Sequence, residues 1–345
     1  MAPERRPTDT EKIMSDRFFF HSFPRGRAGE TSDNVVQRGL KILAFMREVG
    51  LVLAPELVKW DITGLVGGAN ETLETLQRRI CFTELSIAEL PQHSITFGPI
   101  ALAFTIEKLR TAGAMPVVYV PQGTQPNPLS LLAIFLVRGA HHTRHVLSHL
   151  NNIAAGADRE KLQAQSGLPV NEDYTMNLRN SGPNGEIVED YVVPAIHIHQ
   201  LMKHVGFNNI PFDHSVGVLA VLLNMFYPTD NPYAQDELGY YRQREWRLVG
   251  GEVNFNGRPM GRQLTETEQT QLLQIDPAFW GRDMTVKIHA DAPPDTKKRV
   301  EWAQVYEPTP GWNWLEYVDH IRIPKAFAED ARRILGDGVT IVATD

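Results

Sequence analysis

The segment Tyr240–Leu248 constrains the fold most, because its residue pattern is that of a β-strand with two unlike faces. Successive side chains of a strand point to opposite sides, so one face carries Tyr241, Gln243, Glu245 and Arg247. The other face carries Arg242, Arg244, Trp246 and Leu248. One face ends in apolar residues, and the other carries an amide, a carboxylate and a guanidinium in a row. This difference between the faces predicts a candidate site. An edge strand that carries charges for solubility is the competing interpretation.

Composition indicates a folded chain. Hydrophobic residues make up 42% of the 345 residues and charged residues 22%, which is close to the average of globular proteins. The net charge of −7 argues against extensive binding to nucleic acid or to anionic membranes, so we expect nucleic acid only as a target of modification. The single cysteine, Cys81, excludes an intrachain disulfide and a cysteine-based zinc finger.

Nothing in the sequence directs the chain to a membrane or out of the cell. The first residues lack the apolar segment of a secretory signal. The longest apolar runs, Leu129–Val137 and Val216–Leu223, reach about half of the 20 residues or so that a membrane-spanning helix needs. We therefore expect a cytoplasmic protein.

Alternating strand and helix patterns predict an α+β fold. The predicted strands are Arg17–Phe23, Leu51–Leu53, Ile80–Thr83, Ile100–Thr105, Met115–Val120, Tyr240–Val249, with Val253–Phe255 as its hairpin partner, and His320–Pro324. The predicted helices are a segment capped by Ser32–Asn34 and ending at Gly50, then Ile106–Ala112, Thr265–Leu273 and Ala326–Leu335. Residues 1–15 are predicted to be a flexible tail, 16–120 and 236–345 the core domain, and 121–235 a largely helical, histidine-rich insertion with helices at about 129–154 and 214–226.

Histidines are concentrated in that insertion, which holds eight of the twelve. His141, His145 and His149 recur every four residues and would form one stripe of a helix, a spacing at which imidazoles can chelate a metal. The pattern lacks His-Glu-x-x-His, and stripes of this kind are commonly surface histidines. We therefore predict no metal, with a metal-dependent enzyme or sensor built on these histidines as an alternative.

Several segments, in order, resemble a family of bacterial phage-resistance proteins that includes AbiGi. The matching pieces are Phe20–Arg25, Gly39-Leu40, Gly50–Glu56, Cys81–Glu84, Phe97–Phe104, Pro116–Tyr119 and Arg244–Arg247. They span roughly half of the chain and leave out the insertion. The family usually has an acidic residue where this chain has Gln243, which is a departure. The resemblance implies a phage-defence or toxin–antitoxin protein with a cognate toxin or antitoxin as partner, and homo-oligomers are compatible with it.

The same layout is similar to that of ADP-ribosyltransferases, which implies an ADP-ribosyltransferase-like mixed sheet core with NAD as substrate. In such folds an early strand carries His or Arg and a late strand carries Gln/Glu-x-Glu; His21 and Gln243-x-Glu245 fall in these places. The resemblance implies that Glu245, Gln243 and His21 are catalytic. It implies that NAD is bound by His21, Arg25, Glu84, Tyr119 and Arg247.

Each of these residues also has a structural interpretation. His21, between aromatic residues, can be a core histidine, and Arg25 a solvated loop charge. Glu84 can cap a helix and Tyr119 can belong to the core. An inactive antitoxin or sensor that binds a partner protein through the insertion therefore stays open beside the NAD-dependent enzyme. The prediction that separates them is geometric, because an active site requires Glu245 to meet His21 across a pocket.

Overall fold

A computed structural model describes residues 17–61, 72–121, 135–136, 139, 173–182, 185–194, 224–229, 244–251, 254–255, 258–286 and 294–344. Within them the chain is a mixed α+β protein, which confirms the predicted class. Its largest element is a ten-stranded sheet, mostly antiparallel. None of the helices in the described part of the chain is long and apolar enough to cross a membrane.

The elements of the described residues are named in chain order. The strands are β1 (Arg17–Phe23), β2 (Val52–Asp61), β3 (Thr72–Ser86), β4 (Ile100–Phe104), β5 (Met115–Pro116), β6 (Val118–Pro121), β7 (Asp173–Gly182), β8 (Gly185–Pro194), β9 (Phe226–Thr229), β10 (Glu245–Val249), β11 (Asn254–Phe255), β12 (Arg258–Pro259), β13 (Gly261–Gln263), β14 (Asp283–Val286), β15 (Asp295–Lys298), β16 (Gln304–Tyr306), β17 (His320–Pro324) and β18 (Thr340–Thr344). The α-helices are α1 (Ser32–Val49), α2 (Leu90–Phe97), α3 (Ile106–Thr111), α4 (Glu266–Ile275), α5 (Pro277–Trp280), α6 (Arg299–Trp302) and α7 (Ala328–Leu335), with 3₁₀ turns at Trp314–Glu316 and Lys325–Phe327.

The large sheet has the strand order β13–β16–β2–β3–β1–β4–β17–β18, and β10 pairs with both β3 and β5. Strand β3 is the junction, because it pairs with β2 up to Arg79, with β10 from Arg79 to Thr83, and with β1 from Thr83 onward. Arg79 and Thr83 each have two partners at once, so β10 lies on one side of β3 while β2 and β1 lie on the other. The first and last thirds of the chain therefore meet at β3.

One face of this sheet carries the main core. Alternate side chains of the central strands, Phe19, Phe23, Phe82, Leu102, Leu248 and Ile321, pack there with residues of α1 and α7. The helix α1 is amphipathic and buries Leu40, Leu43 and Met46 against the same face. The opposite face carries a smaller apolar cluster around Phe20, Leu90, Ala101 and Ala103. The two faces of β1 and β3 are therefore both covered, and polar groups between them need internal partners.

Several predicted boundaries need correction. Thr31, and not Ser32–Asn34, caps α1, because its hydroxyl accepts from the Asn34 amide at 3.3 Å. The strand predicted to end at Leu53 continues to Asp61. Its ladder to β16 stops at Leu53, so Pro55 lies where β2 is paired on one side only and its missing N–H costs little.

The later strand predictions are also revised. The predicted strand Met115–Val120 is divided, because β5 pairs with β10 and β6 pairs with β9. Asn254-Phe255 pairs with Arg258-Pro259 and not with β10, so the hairpin predicted after Val249 is wrong. The helices predicted in the insertion lie largely outside the described residues, and the described part of 121–235 contains mainly strands, including the β7–β8 hairpin.

Candidate functional site

Strand β10 has the two faces that its sequence predicts. Glu245 pairs with Thr83 and Arg247 with Cys81, so both project on the same side of the sheet. Trp246 packs against the main core and Leu248 lies within it. The strand begins at Glu245, and Gln243 lies outside the described residues. The alternation is thus confirmed for the described half of the predicted strand.

Glu245 and Arg247 form a buried ion pair. Arg247 Nε donates to Glu245 Oε1 at 2.6 Å, and the exposed fractions of the two side chains are 1% for Arg247 and 11% for Glu245. A buried charge is tolerated when it is paired and hydrogen-bonded, which both groups are. These two residues, two positions apart on one strand, hold each other in a fixed geometry.

Two further donors reach the Glu245 carboxylate. Tyr119 of β6 donates its hydroxyl proton to Glu245 Oε2 at 2.7 Å, and the Cys81 thiol also hydrogen-bonds to Glu245. Burial acts to raise the pKa of Glu245, but the charge of Arg247 and these hydrogen bonds outweigh it and lower the pKa. Glu245 is therefore an ionised carboxylate at neutral pH.

The neighbouring donors keep their protons. Burial first, and then the negative charge of Glu245, raise the pKa of Tyr119 well above its usual range. The same causes raise the pKa of Cys81 to about 12. Tyr119 is thus a neutral hydrogen-bond donor beside a fixed negative charge, and Cys81 is not a nucleophile at neutral pH.

A second ion pair adjoins the first. Arg79 of β3 pairs with Glu56 of β2 and hydrogen-bonds to Gln77, and Arg247 donates to the same Gln77 oxygen at 3.2 Å. The guanidinium carbons of Arg79 and Arg247 each lie 4.9 Å from the centre of the Tyr227 ring. We call these residues the Glu245 cluster: Glu56, Gln77, Arg79, Cys81, Tyr119, Tyr227, Glu245 and Arg247.

The residues 224–229 complete the cluster from the far end of the insertion. Strand β9 pairs in parallel with β6, which brings Tyr227 beside Tyr119 with ring centres 6.4 Å apart. Arg247 donates to the carbonyl oxygen of Asn224 at 3.1 Å, and Tyr227 donates to Glu56 at 3.3 Å. The two guanidinium and two carboxylate charges balance, so the cluster presents an ionised carboxylate, a neutral phenol and little net charge.

His21 lies on the other face of the sheet. Phe20 pairs with Thr83 and shares a face with Glu245, so the next residue, His21, projects to the opposite side. Its ring stacks on Phe23, with centres 5.5 Å apart, and lies 5.9 Å from that of Phe82. The predicted meeting of His21 and Glu245 across a pocket therefore does not occur.

His21 has a structural task instead. It hydrogen-bonds through Nδ1 to the Cys81 carbonyl oxygen at 2.9 Å. Cys81 lies on β3 between Thr83, where the pairing with β1 ends, and Arg79, where the pairing with β2 begins. Burial lowers the pKa of His21 to about 4, so the ring is neutral at pH 7. The imidazole thus satisfies a backbone acceptor where β1 and β2 diverge.

Arg25 and Glu84 also lie away from the Glu245 cluster. The guanidinium carbon of Arg25 lies 4.7 Å from the centre of the Phe97 ring. Glu84 accepts from Arg17 at 2.8 Å and from Arg244 at 3.1 Å. Of the predicted site residues, the structure brings together Glu245, Arg247 and Tyr119, and leaves His21, Arg25 and Glu84 apart.

The other cluster members were missed in the sequence, although one signal was present. The run Gln77-x-Arg79-x-Cys81-x-Thr83 places polar groups at every second position, as Glu245 and Arg247 do on β10. Two such strands are expected to pair with their polar faces together, because either one alone would bury unpaired charge. Glu56 and Tyr227 had no comparable signal, since their approach depends on pairing between distant strands.

The described residues contain no group of three or more His, Cys, Asp or Glu suited to a metal ion. The alternative ligands His141, His145 and His149 lie outside the described residues. Comparison with protein-family models, curated proteins and solved structures finds no match. The resemblances drawn from the sequence therefore stay predictions.

Proposed function

We propose that the protein is a phage-defence or toxin–antitoxin component that cleaves NAD at an ADP-ribosyltransferase-like site centred on Glu245. The observation that supports this proposal is the contact of an ionised, largely buried carboxylate with the protonated phenol of Tyr119 at 2.7 Å. A fixed carboxylate is the group that stabilises developing positive charge on a sugar ring.

In the proposed reaction the bond between ribose C1′ and the nicotinamide nitrogen breaks. The bonding electron pair leaves with nicotinamide, and positive charge develops on C1′ and the ring oxygen of the ribose. Glu245 stabilises this charge more in the transition state than in the ground state. Water or an acceptor hydroxyl then bonds to C1′ and loses its proton to solvent, which gives hydrolysis or ADP-ribosyl transfer.

The roles proposed from the sequence change accordingly. Tyr119 replaces His21 as the donor nearest to the ribose, since it already contacts Glu245. Arg247, at 1% exposure, orients Glu245 and does not bind the pyrophosphate. Loss of one well-aimed electrostatic contact costs about 3–4 kcal/mol of transition-state stabilisation, which is roughly a 10²–10³-fold loss of rate.

The test is NAD consumption by purified full-length protein, measured as released nicotinamide. Glu245→Gln is expected to reduce it about 10²-fold or more, and Tyr119→Phe to reduce it while leaving the carboxylate ionised. The matched control is Glu268→Gln, which also removes a carboxylate paired with an arginine, at 2.8 Å from Arg262, with 15% exposure. That variant should retain full turnover. An absence of turnover in the wild-type protein, or equal turnover in the two glutamine variants, would refute the proposal.

A second candidate is a catalytically inactive antitoxin or sensor that binds a partner protein. Both carboxylate oxygens of Glu245 are already hydrogen-bonded, one to Arg247 and one to Tyr119. A substrate would have to displace one of these contacts, and this favours the second candidate. Co-expression with the product of the neighbouring gene is the test. Rescue of a toxic partner with no NAD loss supports this candidate, and absence of any complex removes it.

A further inference from the structure

The two end strands of the large sheet differ in their resistance to pairing. Strand β13, at one end, has three residues, and its Arg262 pairs with Glu268 and Glu307. Strand β18, at the other end, has the sequence TIVAT, which contains no charged residue and no proline. Short or charged end strands resist pairing with another chain, and an uncharged strand of this length does not. The two ends therefore predict association at β18 and none at β13.

Strand β18 has one side without a neighbouring strand. Within the described part of the chain it pairs only with β17, in parallel, from Thr340 opposite His320 to Thr344 opposite Pro324. Along such a ladder alternate residues turn their backbone N–H and C=O groups toward the neighbour, and the others turn them away. The outward groups of β18 can therefore pair with a further strand.

Helix α7 lies over this end of the sheet. It connects β17 to β18, contacts both strands, and buries Ala328, Ala331 and Leu335 in the main core. Strands lie about 4.8 Å apart, so a helix centred over two of them lies about 5 Å from a line half a spacing outside β18. A two-fold axis on that line, perpendicular to the sheet, would place a second α7 about 10 Å away. Helices pack at about 8–10 Å, so the two copies of α7 would be in contact.

The outer side of α7 carries one acidic and one basic residue. Helix α1 borders α7 on the side of the sheet centre, because its Gly39 lies against Ile100 of β4. Ile334 of α7 lines a groove with α1. At 3.6 residues per turn, Glu329 and Arg332 project on the other side of the helix, which faces outward past β18.

These two charges suit an antiparallel copy of the same helix. Glu329 and Arg332 pair with each other, and their side chains are 80% and 47% exposed. Helix α7, with eight residues, is about 12 Å long and β18, with five, is about 13 Å long, so one axis can pass the middle of both. Glu329 of each copy then lies beside Arg332 of the other, and no like charges are opposed.

We propose that β18 and α7 form the interface of a homodimer, in which β18 pairs with β18 of a second copy in antiparallel register centred on Val342. This register places Thr340 opposite Thr344 and Ile341 opposite Ala343, and it adds about four to six backbone hydrogen bonds. The dimer does not depend on NAD cleavage, because β18 lies four strands away from β3, which carries the Glu245 cluster with β10.

Sedimentation velocity of the full-length protein over a range of concentrations tests this interface. The wild type is expected to sediment as a concentration-dependent dimer. Ala343→Lys should be monomeric, because Ala343 is exposed in a single copy, whereas in the dimer a lysine there would be buried under the two α7 helices, opposite Ile341. The matched control is Gln263→Lys, which adds the same charge at an exposed position of β13 and should leave the dimer intact.

Charge reversal on α7 tests the pairing of the helices without disturbing the core, since both side chains are accessible. Glu329→Arg and Arg332→Glu each oppose like charges at two symmetry-related positions and should each weaken the dimer about tenfold. An equimolar mixture of the two variants should form a heterodimer, because their charges are again complementary. The proposal is overturned if the wild type is monomeric at every concentration, if Ala343→Lys and Gln263→Lys sediment alike, or if the mixture of the two α7 variants recovers no dimer.

Discussion

Replacement of Glu245 by leucine should destabilise the protein far more than the loss of a surface salt bridge. Arg247 is 1% exposed, so without Glu245 its charge stays buried beside Arg79, with only neutral acceptors left at Gln77 and Asn224. Removal of one partner of a buried ion pair costs about 3–5 kcal/mol, whereas exposed pairs contribute about 0–1 kcal/mol. Because this pair is buried, we expect Glu245→Leu to lower the free energy of unfolding by about 3–5 kcal/mol.

Replacement of both partners should recover part of that loss. In Glu245→Leu/Arg247→Met neither substituted position carries a charge, and buried Arg79 keeps its pairing with Glu56. The remaining cost comes from groups that each lose one partner: the Asn224 carbonyl, the Gln77 side-chain oxygen and the Tyr119 hydroxyl. An unsatisfied buried group costs about 1–3 kcal/mol. The double variant should therefore be more stable than Glu245→Leu alone, because it leaves no buried guanidinium without the carboxylate that pairs with it.

Urea unfolding followed by tryptophan fluorescence measures both effects, because Trp246 lies between the two substituted positions. Equal slopes against urea would show that the variants unfold from equally compact states. A loss below about 1 kcal/mol for Glu245→Leu, or a double variant less stable than either single one, would refute the account of a buried, charge-balanced pair.

Two other predictions concern groups outside the Glu245 cluster. The pKa of His21 falls from 6.5 to about 4 on folding, so the stability that comes from its neutral form is complete above pH 6.5 and is lost as the pH falls toward 4. This loss in the free energy of unfolding should be about 3 kcal/mol. His21→Gln should flatten that part of the pH profile of unfolding. Asp276 is 4% exposed, accepts from Arg27 and Arg38, and caps α5 through the Phe279 amide at 2.8 Å; Asp276→Ala should therefore cost about 3 kcal/mol or more in urea unfolding, and a loss like that of a surface pair would show that this network is not structural.

The local pattern of the sequence was sufficient for the alternation on β10 and for most of the elements around it. Trp246 and Leu248 pack on the core, and Glu245 and Arg247 share the other face, because a strand has a period of two whatever its partners are. Tyr119 was predicted to contact the site on resemblance, and it does contact Glu245.

The local sequence pattern could not predict on which face of the sheet His21 lies. That face depends on the pairing of Phe20 with Thr83, residues far apart in the chain, and a shift of that register by one residue would reverse every side chain of β1. The participation of Tyr227 depends likewise on the parallel pairing of β6 with β9 across more than 100 intervening residues of sequence. Long-range register is set by the total burial of both strands, which no single segment encodes.

The most direct test of the central claim is nicotinamide release from NAD by the wild-type protein and by Glu245→Gln and Glu268→Gln. We predict turnover by the wild type and by Glu268→Gln, and a loss of about 10²-fold or more in Glu245→Gln while that variant remains folded. Turnover that survives in folded Glu245→Gln, or none in the wild type, would contradict the assignment of Glu245 as the centre of an NAD-cleaving site.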